Sequence, residues 1–148
     1  ITQNVDDLHE RGGSTNVIHL HGELTKCRSS RDPNLIYDCD HDIEEGHRAE
    51  DGSQLRPHIV WFGEDVPRMN DAIKEVRTAD ILVIIGTSMQ VYPAANIIDY
   101  VKHIPIIYVD PTSYENKPDS VEHIKDTAVS GVKKLDIYLK KLAGLKNN

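Results

Sequence analysis

The clearest strand in this 148-residue sequence is Ile81-Leu82-Val83-Ile84-Ile85. All five residues are apolar, so both faces of the strand are expected to be buried. A strand of this kind is typical of the centre of a parallel sheet that helices cover on both sides.

Further apolar and amphipathic stretches alternate along the chain on either side of this strand. The pattern predicts strands at residues 1–4, 17–20, 58–62, 105–109 and 127–129. It predicts helices at residues 7–11, 70–78, 94–102, 118–125 and 131–142. The alternation of strands and helices predicts an α/β fold with a doubly wound, Rossmann-like parallel sheet.

Residues 23–56 interrupt this alternation with a different composition. The stretch is rich in Asp, Glu, Arg, Ser and His and contains few apolar residues. It can bury little, which predicts a small loop-rich insertion or a mobile flap. We therefore expect a Rossmann-like domain from residues 1–23 and 57–148, with residues 24–56 as an inserted module.

Composition and charge restrict the class of protein. The formal net charge of -7 and the pI near 5.5 argue against a surface that binds nucleic acid. No apolar run approaches the roughly 20 residues of a membrane helix, so no membrane partner is expected. The two cysteines, Cys27 and Cys39, are most simply interpreted as reduced, which favours a cytoplasmic protein.

Small or polar residues follow five of the predicted strands. Ligands of doubly wound sheets bind beyond the carboxyl ends of the strands, so the sequence predicts a site along that edge. The residues are Gln3, Asn4 and Asp6, then His21, then Gly63 and Glu64, then Gly86, Thr87 and Ser88, and finally Asp110.

A His-Gly corner ends the short apolar run Val17-Ile18-His19-Leu20-His21-Gly22. An imidazole titrates near neutral pH, so His21 is a candidate general base toward a hydroxyl. The ordinary alternative is a histidine that only satisfies hydrogen bonds within the fold.

Two other strand ends offer groups suited to a nucleotide. The stretch 86–88 lets backbone and hydroxyl groups approach a phosphate or a ribose, although an ordinary strand-to-helix turn has the same composition. Gln3, Asn4 and Asp6 could bind ribose hydroxyls or a carboxamide, or could form caps and turns.

Acidic and aromatic residues at two further strand ends leave a similar choice open. Asp110 could hold a ribose hydroxyl, or it could be a loop acid before Pro111. Trp61 and Phe62 could wall an apolar channel, or they could pack in the core.

Four motifs stand in an order and at a spacing that resemble the sirtuin family. The resemblance covers almost the whole chain, most weakly over residues 25–54, and is nearest to the bacterial sirtuin deacylases. The motifs are Thr2-Gln3-Asn4-Val5-Asp6-Asp7-Leu8-His9, His19-Leu20-His21-Gly22-Glu23-Leu24, Pro57-His58-Ile59-Val60-Trp61-Phe62-Gly63-Glu64 and Gly86-Thr87-Ser88-Met89-Gln90-Val91-Tyr92-Pro93.

The resemblance implies an NAD-dependent protein-lysine deacylase, either a deacetylase or a desuccinylase. Such an enzyme transfers the acyl group to ADP-ribose and releases nicotinamide, so its expected partners are acyl-lysine proteins. The family's histidine general base activates a ribose hydroxyl, and His21 matches that histidine. The substrate peptide would be held as an added strand.

The resemblance also implies which residues contact NAD and the substrate. Those that match the NAD site are Gln3, Asn4, Val5, Asp6, Gly86, Thr87, Ser88, Tyr108, Val109, Asp110 and Ala128. Those that match the acyl-lysine channel and the peptide cleft are Val60, Trp61, Phe62, Gly63, Glu64 and Val91.

Several features of the family are absent from this sequence. The glycine-rich first NAD loop would lie before Ile1, and the Tyr and Arg pair of desuccinylating members is missing. We therefore expect a fragment, and we expect it to self-associate or exchange strands because its sheet lacks partners.

Two other functions remain open at this point. The chain could be a catalytically silent fragment, or a module that binds a peptide or nucleotide without turning over NAD. A dehydrogenase-like domain ranks last, because no Gly-x-Gly-x-x-Gly motif follows any predicted strand.

The family's zinc module normally carries four cysteines in two close pairs, since a structural zinc requires about four ligands. This chain has only Cys27 and Cys39, which form no Cys-x-x-Cys pair. His41 and His47 could complete a ligand set, but their spacing is irregular. We expect a polar flap with incidental histidines and no zinc or other metal.

Overall fold

The computed structural model describes residues 1–87, 94–101, 104–112 and 119–144. The chain forms two compact units, Ile1–Ala72 and Ile73–Asn148. The sheet of the first unit is antiparallel, whereas the sheet of the second unit is parallel.

The first unit contains a short helix and a three-stranded sheet. Helix α1, Leu8–Arg11, confirms the helix predicted at residues 7–11. The strands are β1, Gly22–Ser29, β2, Ile36–Asp38, and β3, Leu55–Ile59, in the order β2-β1-β3. The stretch expected to be rich in loops thus also supplies strands, whose backbones pair in an antiparallel sheet.

The two strands predicted at residues 1–4 and 17–20 meet in a single parallel bridge between Thr2 and His19. The Thr2 amide donates to the Ile18 carbonyl, and the Leu20 amide donates to the Thr2 carbonyl, each at 2.9 Å. The pairing stops there because the chain turns into α1 on one side and into β1 on the other.

The strand predicted at residues 58–62 is displaced toward the N-terminus. It is β3, which ends at Ile59 and runs antiparallel to β1. Gly22 lies opposite Ile59 with φ of 87°, and a Cβ at Gly22 would lie 2.0 Å from the His58 carbonyl oxygen. Only glycine fits at this position, so Gly22 determines the direction in which β1 continues from His21.

The second unit contains the predicted parallel sheet. Its strands are β4, Leu82–Ile85, β5, Ile106–Val109, and β6, Val121–Ile124, in the order β4-β5-β6. In the described part of the chain, β5 rather than β4 is the middle strand. Its residues Ile107 and Val109 are completely buried and form the centre of the core.

Helices occupy three further predicted positions. They are α2, Met69–Arg77, a 3₁₀ helix, Ala94–Tyr100, and α3, Ala128–Leu142. Helix α3 packs so closely on β5 that a Cβ at Gly131 would lie 2.4 Å from Val109 Cγ1. Within the described ranges, none of the helices combines the length and apolar character that crossing a membrane requires.

Two elements predicted near the C-terminus were wrong. Residues 118–125, predicted as a helix, contain β6, whose backbone pairs with β5. Residues 127–129, predicted as a strand, are the N-cap and first residues of α3. The Thr127 hydroxyl accepts a hydrogen bond from the Ser130 amide at 3.4 Å, as an N-cap does.

Candidate active site

His21 is held in one ring orientation by the backbone. Its Nδ1 lies 3.0 Å from the Gln3 carbonyl oxygen. A carbonyl can only accept, so Nδ1 carries the proton and Nε2 of the neutral ring keeps its lone pair. The ring is therefore oriented to accept a proton at Nε2, as a general base must.

His19, two residues earlier, is engaged at both ring nitrogens. Its Nδ1 lies 3.1 Å from the Asn4 carbonyl oxygen, and its Nε2 lies 2.9 Å from Glu10 Oε1. The side chain is only 6% exposed. Burial by itself lowers the pKa of His19, but the hydrogen bonds to Glu10 and Asn4 outweigh it and leave that pKa above the ordinary value. His19 thus has a structural role, and the His-x-His spacing was the sequence signal for it.

The predicted Gln3–Asp6 motif supports these histidines through its backbone. Besides the carbonyls of Gln3 and Asn4, the Val5 carbonyl accepts the Leu24 amide at 2.8 Å. The structure thus brings the motif beside His21, as predicted.

The carboxylate of Asp6 serves the backbone rather than a ring. Its Oδ1 accepts the Leu8 amide at 3.1 Å, at the start of α1. One of the two alternatives for this residue, a role in a turn or cap, is therefore realised in the structure.

The segment 60–64 is hydrogen-bonded to His21 at its first residue, and its aromatic side chains are exposed to solvent. The Val60 amide donates to the His21 carbonyl at 2.9 Å. Trp61 is 57% exposed and Phe62 is 98% exposed, so neither packs in a core. Gly63 follows with φ of 90° and allows the segment to turn back.

Glu64 closes the segment by binding two arginines. Its Oε1 lies 2.6 Å from Arg56 Nη1, and its Oε2 lies 3.2 Å from Arg56 Nη2 and 3.4 Å from Arg28 Nη2. Oε2 also accepts the Trp61 amide at 3.0 Å. Arg56 above all, and then the Trp61 amide, lower the pKa of Glu64 to about 2. Arg28 and Arg56 were not among the predicted site residues.

In the second unit, two predicted residues lie at the carboxyl end of β4. Gly86 has φ of 65°, and its amide donates to the Val109 carbonyl at 3.2 Å. The Thr87 carbonyl accepts the Tyr108 hydroxyl at 2.8 Å. The predicted Ser88 and Val91 lie outside the described residues.

The carboxyl end of β5 carries Asp110, which is buried by its neighbours. Its Oδ1 accepts the Thr112 amide at 2.8 Å and also the Thr112 hydroxyl. Its carbonyl accepts His123 Nε2 at 2.9 Å, and the His123 ring lies 5.1 Å from that of Tyr108. Sequence reasoning missed His123, because β6 was expected to be a helix.

Three further predicted residues of this unit have different surroundings. Tyr108 and Val109 point their side chains into the core, so any ligand contact of Val109 must come from its backbone. Ala128 is the first residue of α3 and is exposed.

In the described part of the chain, the cysteines and histidines of the first unit do not form a set of metal ligands. Burial, and then the hydrogen bond with the Cys39 thiol, raise the pKa of Cys27. His41 is bonded to Asp40, and His47 accepts the Glu44 amide through Nδ1. Over the described ranges, no three His, Cys, Asp or Glu residues cluster as metal ligands would.

Comparison with known proteins gives a consistent result. The Sir2 family model matches residues 1–93. An NAD-dependent protein deacylase of Helicobacter pylori is 51% identical over 137 residues, which are 91% of this chain and 60% of the relative. One from Bacteroides thetaiotaomicron is 48% identical over 143 residues, covering 91% of this chain and 61% of the relative. The chain thus spans about 60% of the length of the curated relatives it matches.

Solved structures resemble the chain along nearly all of its length. An ADP-ribose complex of a Sir2 homologue mutant has a TM-score of 0.81 at 37% identity and is matched over 99% of this chain and 61% of that one. A Sir2 homologue with NAD has a TM-score of 0.78 at 36% identity, over 95% and 57%. Sir2Af2 bound to a myristoylated histone peptide has a TM-score of 0.70 at 29% identity, over 96% and 64%. The predicted α/β fold is thereby confirmed.

Proposed function

The chain belongs to the Sir2 family, and from that premise we propose that the whole protein is an NAD-dependent protein-lysine deacylase. The reaction would transfer the acyl group from lysine to ADP-ribose and release nicotinamide. NAD would supply the ribose carbon that loses nicotinamide and accepts the acyl oxygen. The names of the relatives and the NAD and ADP-ribose complexes of similar structures support this proposal.

One observation carries the catalytic part of the proposal, namely the ring orientation of His21. With Nδ1 donating to the Gln3 carbonyl, Nε2 is the basic atom, and it would take the proton of a ribose hydroxyl. Since the acceptor is a backbone carbonyl, the orientation does not depend on the titration of a neighbouring side chain.

The substrate part of the proposal concerns residues 60–64, the segment whose first residue is hydrogen-bonded to His21. By the family resemblance, Val60, Trp61, Phe62, Gly63, Glu64 and Val91 would contact the acyl-lysine peptide. The exposed aromatic side chains support this assignment, because exposed apolar patches often mark binding sites. Sir2Af2 with its myristoylated histone peptide also supports an acyl-lysine ligand.

The residues proposed to contact NAD are those that match the NAD site of the family. They are Gln3, Asn4, Val5, Asp6, Gly86, Thr87, Ser88, Tyr108, Val109, Asp110 and Ala128. The inserted module at residues 24–56, a cytoplasmic location and self-association of the isolated chain also belong to the proposal.

The proposal is tested by His21→Ala in the whole protein, with His9→Ala as the matched control because His9 is exposed on α1. Deacylation of an acetyl-lysine peptide would be followed by mass spectrometry with and without NAD. Loss of a general base predicts a fall in kcat of about 10²–10⁴ for His21→Ala and wild-type activity for the control. Unchanged turnover by His21→Ala would refute the assignment.

A second candidate function applies to the 148 residues alone, which could bind a peptide without turnover. The exposed pair Trp61 and Phe62 favours it, since this surface needs no cofactor to form. Calorimetric titration separates the two functions: NAD and an acyl-lysine peptide are each added to the chain. Binding of the peptide alone supports the module, whereas NAD-dependent turnover by the same chain excludes it.

A further inference from the structure

Arg28 and Arg56 face each other across the antiparallel sheet. They are direct partners in the register of β1 and β3, so their side chains leave the same face of the sheet. Like charges placed directly opposite each other destabilise a sheet. Since the Arg28 side chain is only 10% exposed, solvent cannot screen this pair effectively.

Glu64 supplies the anion that this arginine pair requires. Its carboxylate binds Arg56 through both oxygens and binds Arg28 through Oε2. Nη2 of each arginine also lies 3.4 Å from the Ile59 carbonyl oxygen. The two guanidinium groups therefore hold both ends of the 59–64 segment at once.

The same carboxylate fixes the middle of the segment. Glu64 Oε2 accepts the Trp61 amide at 3.0 Å, and the Glu64 amide donates to the Trp61 carbonyl at 3.0 Å. With this turn closed, Trp61 and Phe62 point to solvent although both are apolar. The conformation is thus maintained by charge rather than by burial of the aromatic rings.

We propose that Arg28, Arg56 and Glu64 are positioning residues that hold Trp61 and Phe62 in the conformation that receives an acyl-lysine peptide. This inference rests on the proposed function, and it changes the role of Glu64 from a substrate contact to a support. Both carboxylate oxygens are already bound within the protein, which leaves the aromatic residues as the contacts to the peptide.

The test is a kinetic comparison in the whole protein at saturating NAD. Glu64→Gln keeps the size of the side chain and removes its charge, whereas Arg56→Lys keeps the charge and removes the planar fork. We expect the KM for an acetyl-lysine peptide to rise about tenfold in Glu64→Gln, which corresponds to losing one charge-assisted contact, and less in Arg56→Lys. The kcat should stay within about twofold, since the interaction supports binding rather than the chemical step.

Asp136→Asn is the matched control, because it breaks an exposed carboxylate pair with Lys140 on α3. Its kinetics should equal those of the wild type. If Glu64→Gln does not fold, the KM of Arg56→Lys decides the matter. An active wild type with an unchanged peptide KM in the folded variants overturns this inference alone, whereas a wild type without NAD-dependent deacylation overturns the proposed function.

A second inference comes from a different cluster, which begins at Ser29, the last residue of β1. The buried Ser29 hydroxyl lies 2.7 Å from Asp51 Oδ2 and 2.7 Å from Ser53 Oγ, and it accepts the amides of Arg31 and Asp32 at 3.0 and 2.9 Å. Asp51 Oδ1 in turn accepts the amide and the hydroxyl of Ser53, at 2.9 and 2.7 Å. Two chain segments, residues 29–32 and 51–53, are joined here by hydrogen bonds.

We infer that this serine-aspartate cluster holds the module together in place of the zinc that the family resemblance implies. The available cysteines and histidines do not fit the metal, whereas the cluster fastens the same stretch without it. The module should therefore fold and remain folded in the absence of zinc.

Zinc content and thermal unfolding of the full 148-residue chain test this inference. After equilibration with zinc and desalting, elemental analysis should find far less than one zinc per chain, and EDTA should leave Tm unchanged. Asp51→Asn should lower Tm by about 5 °C, whereas Cys39→Ser should not. One bound zinc per chain, a fall in Tm with EDTA, or a wild-type Tm for Asp51→Asn would each overturn it.

Discussion

The two sheets of this molecule are stabilised by different means. In the antiparallel sheet of the first unit, two of the three buried residues at the end of β1 are polar, Arg28 and Ser29, and their partners are Glu64 and Asp51. In the parallel sheet of the second unit, the buried residues of β5 are apolar and pack on one another and on α3. Polar contacts are directional, so the first sheet can hold a nearby segment in one conformation, while the second mainly supplies stability.

The largest expected effect is in the parallel sheet. Ile107 is 0% exposed at the centre of its core, so Ile107→Ala should reduce the free energy of unfolding by about 3 kcal/mol. Urea titration, with hydrogen exchange to assign the loss to the second unit, measures it. Ile137→Ala is the control because Ile137 is 54% exposed, and equal losses in the two variants would contradict the comparison.

A smaller effect is expected from the polar cluster of the antiparallel sheet. Ser29→Ala leaves the bound groups of Asp51 and Ser53 without their buried partner, so we expect a loss of roughly 1–3 kcal/mol. The adjacent exposed Ser30→Ala should cost far less. Hydrogen exchange should show faster opening in the first unit only, and a matching change in β5 would show that the two sheets are not stabilised separately.

Acid should affect the antiparallel sheet before the parallel one. Glu64 and Asp51 have pKa values of about 2 in the folded protein, against ordinary values of 4.5 and 3.8. A carboxylate whose pKa is lowered in the folded protein stabilises the fold at pH values above its ordinary pKa. That contribution is lost as the pH falls toward 2. Trp61 is the single tryptophan, so its fluorescence reports the change. Glu64→Gln should flatten the transition, and an identical titration in that variant would exclude Glu64 as its cause.

The smallest effect should be the loss of stability as the pH rises through the pKa of His19. Its pKa is raised in the folded protein, so the contribution is complete below 6.5 and is lost as the pH rises through the folded pKa. Glu10→Gln should lower that pKa, because Glu10 is the strongest partner that favours the charged ring. NMR titration of the histidine rings in the wild type and in Glu10→Gln measures the shift. An unchanged His19 titration in Glu10→Gln would show that the pair does not form in solution.

Sequence predicted the parallel sheet better than the antiparallel one for a physical reason. Continuous apolar runs identify β4 and β5 without knowledge of their partners. Two of the three buried residues of strand β1 are polar, and the residues that make this tolerable, Asp51 and Glu64, lie more than 20 positions away. Strand β6 was mistaken for a helix because its regularity comes from pairing with β5.

The candidate site shows the same limit. The position of His21 could be predicted from its place at a chain corner and from the family motifs. The tautomer of its ring could not, since it depends on which carbonyl faces Nδ1. The roles of His19 and Arg28 were missed because each depends on one distant carboxylate.

The neighbouring aromatic residues of the 60–64 segment also make it a point of vulnerability. Chymotrypsin cuts after aromatic side chains, and accessible loops are where proteases act first. Phe62, the single phenylalanine, is open to solvent in the folded protein, so a brief digestion should divide the chain there. A ligand that covers the segment should slow this cleavage. The fraction of cleaved chain therefore measures ligand binding without requiring turnover or a label.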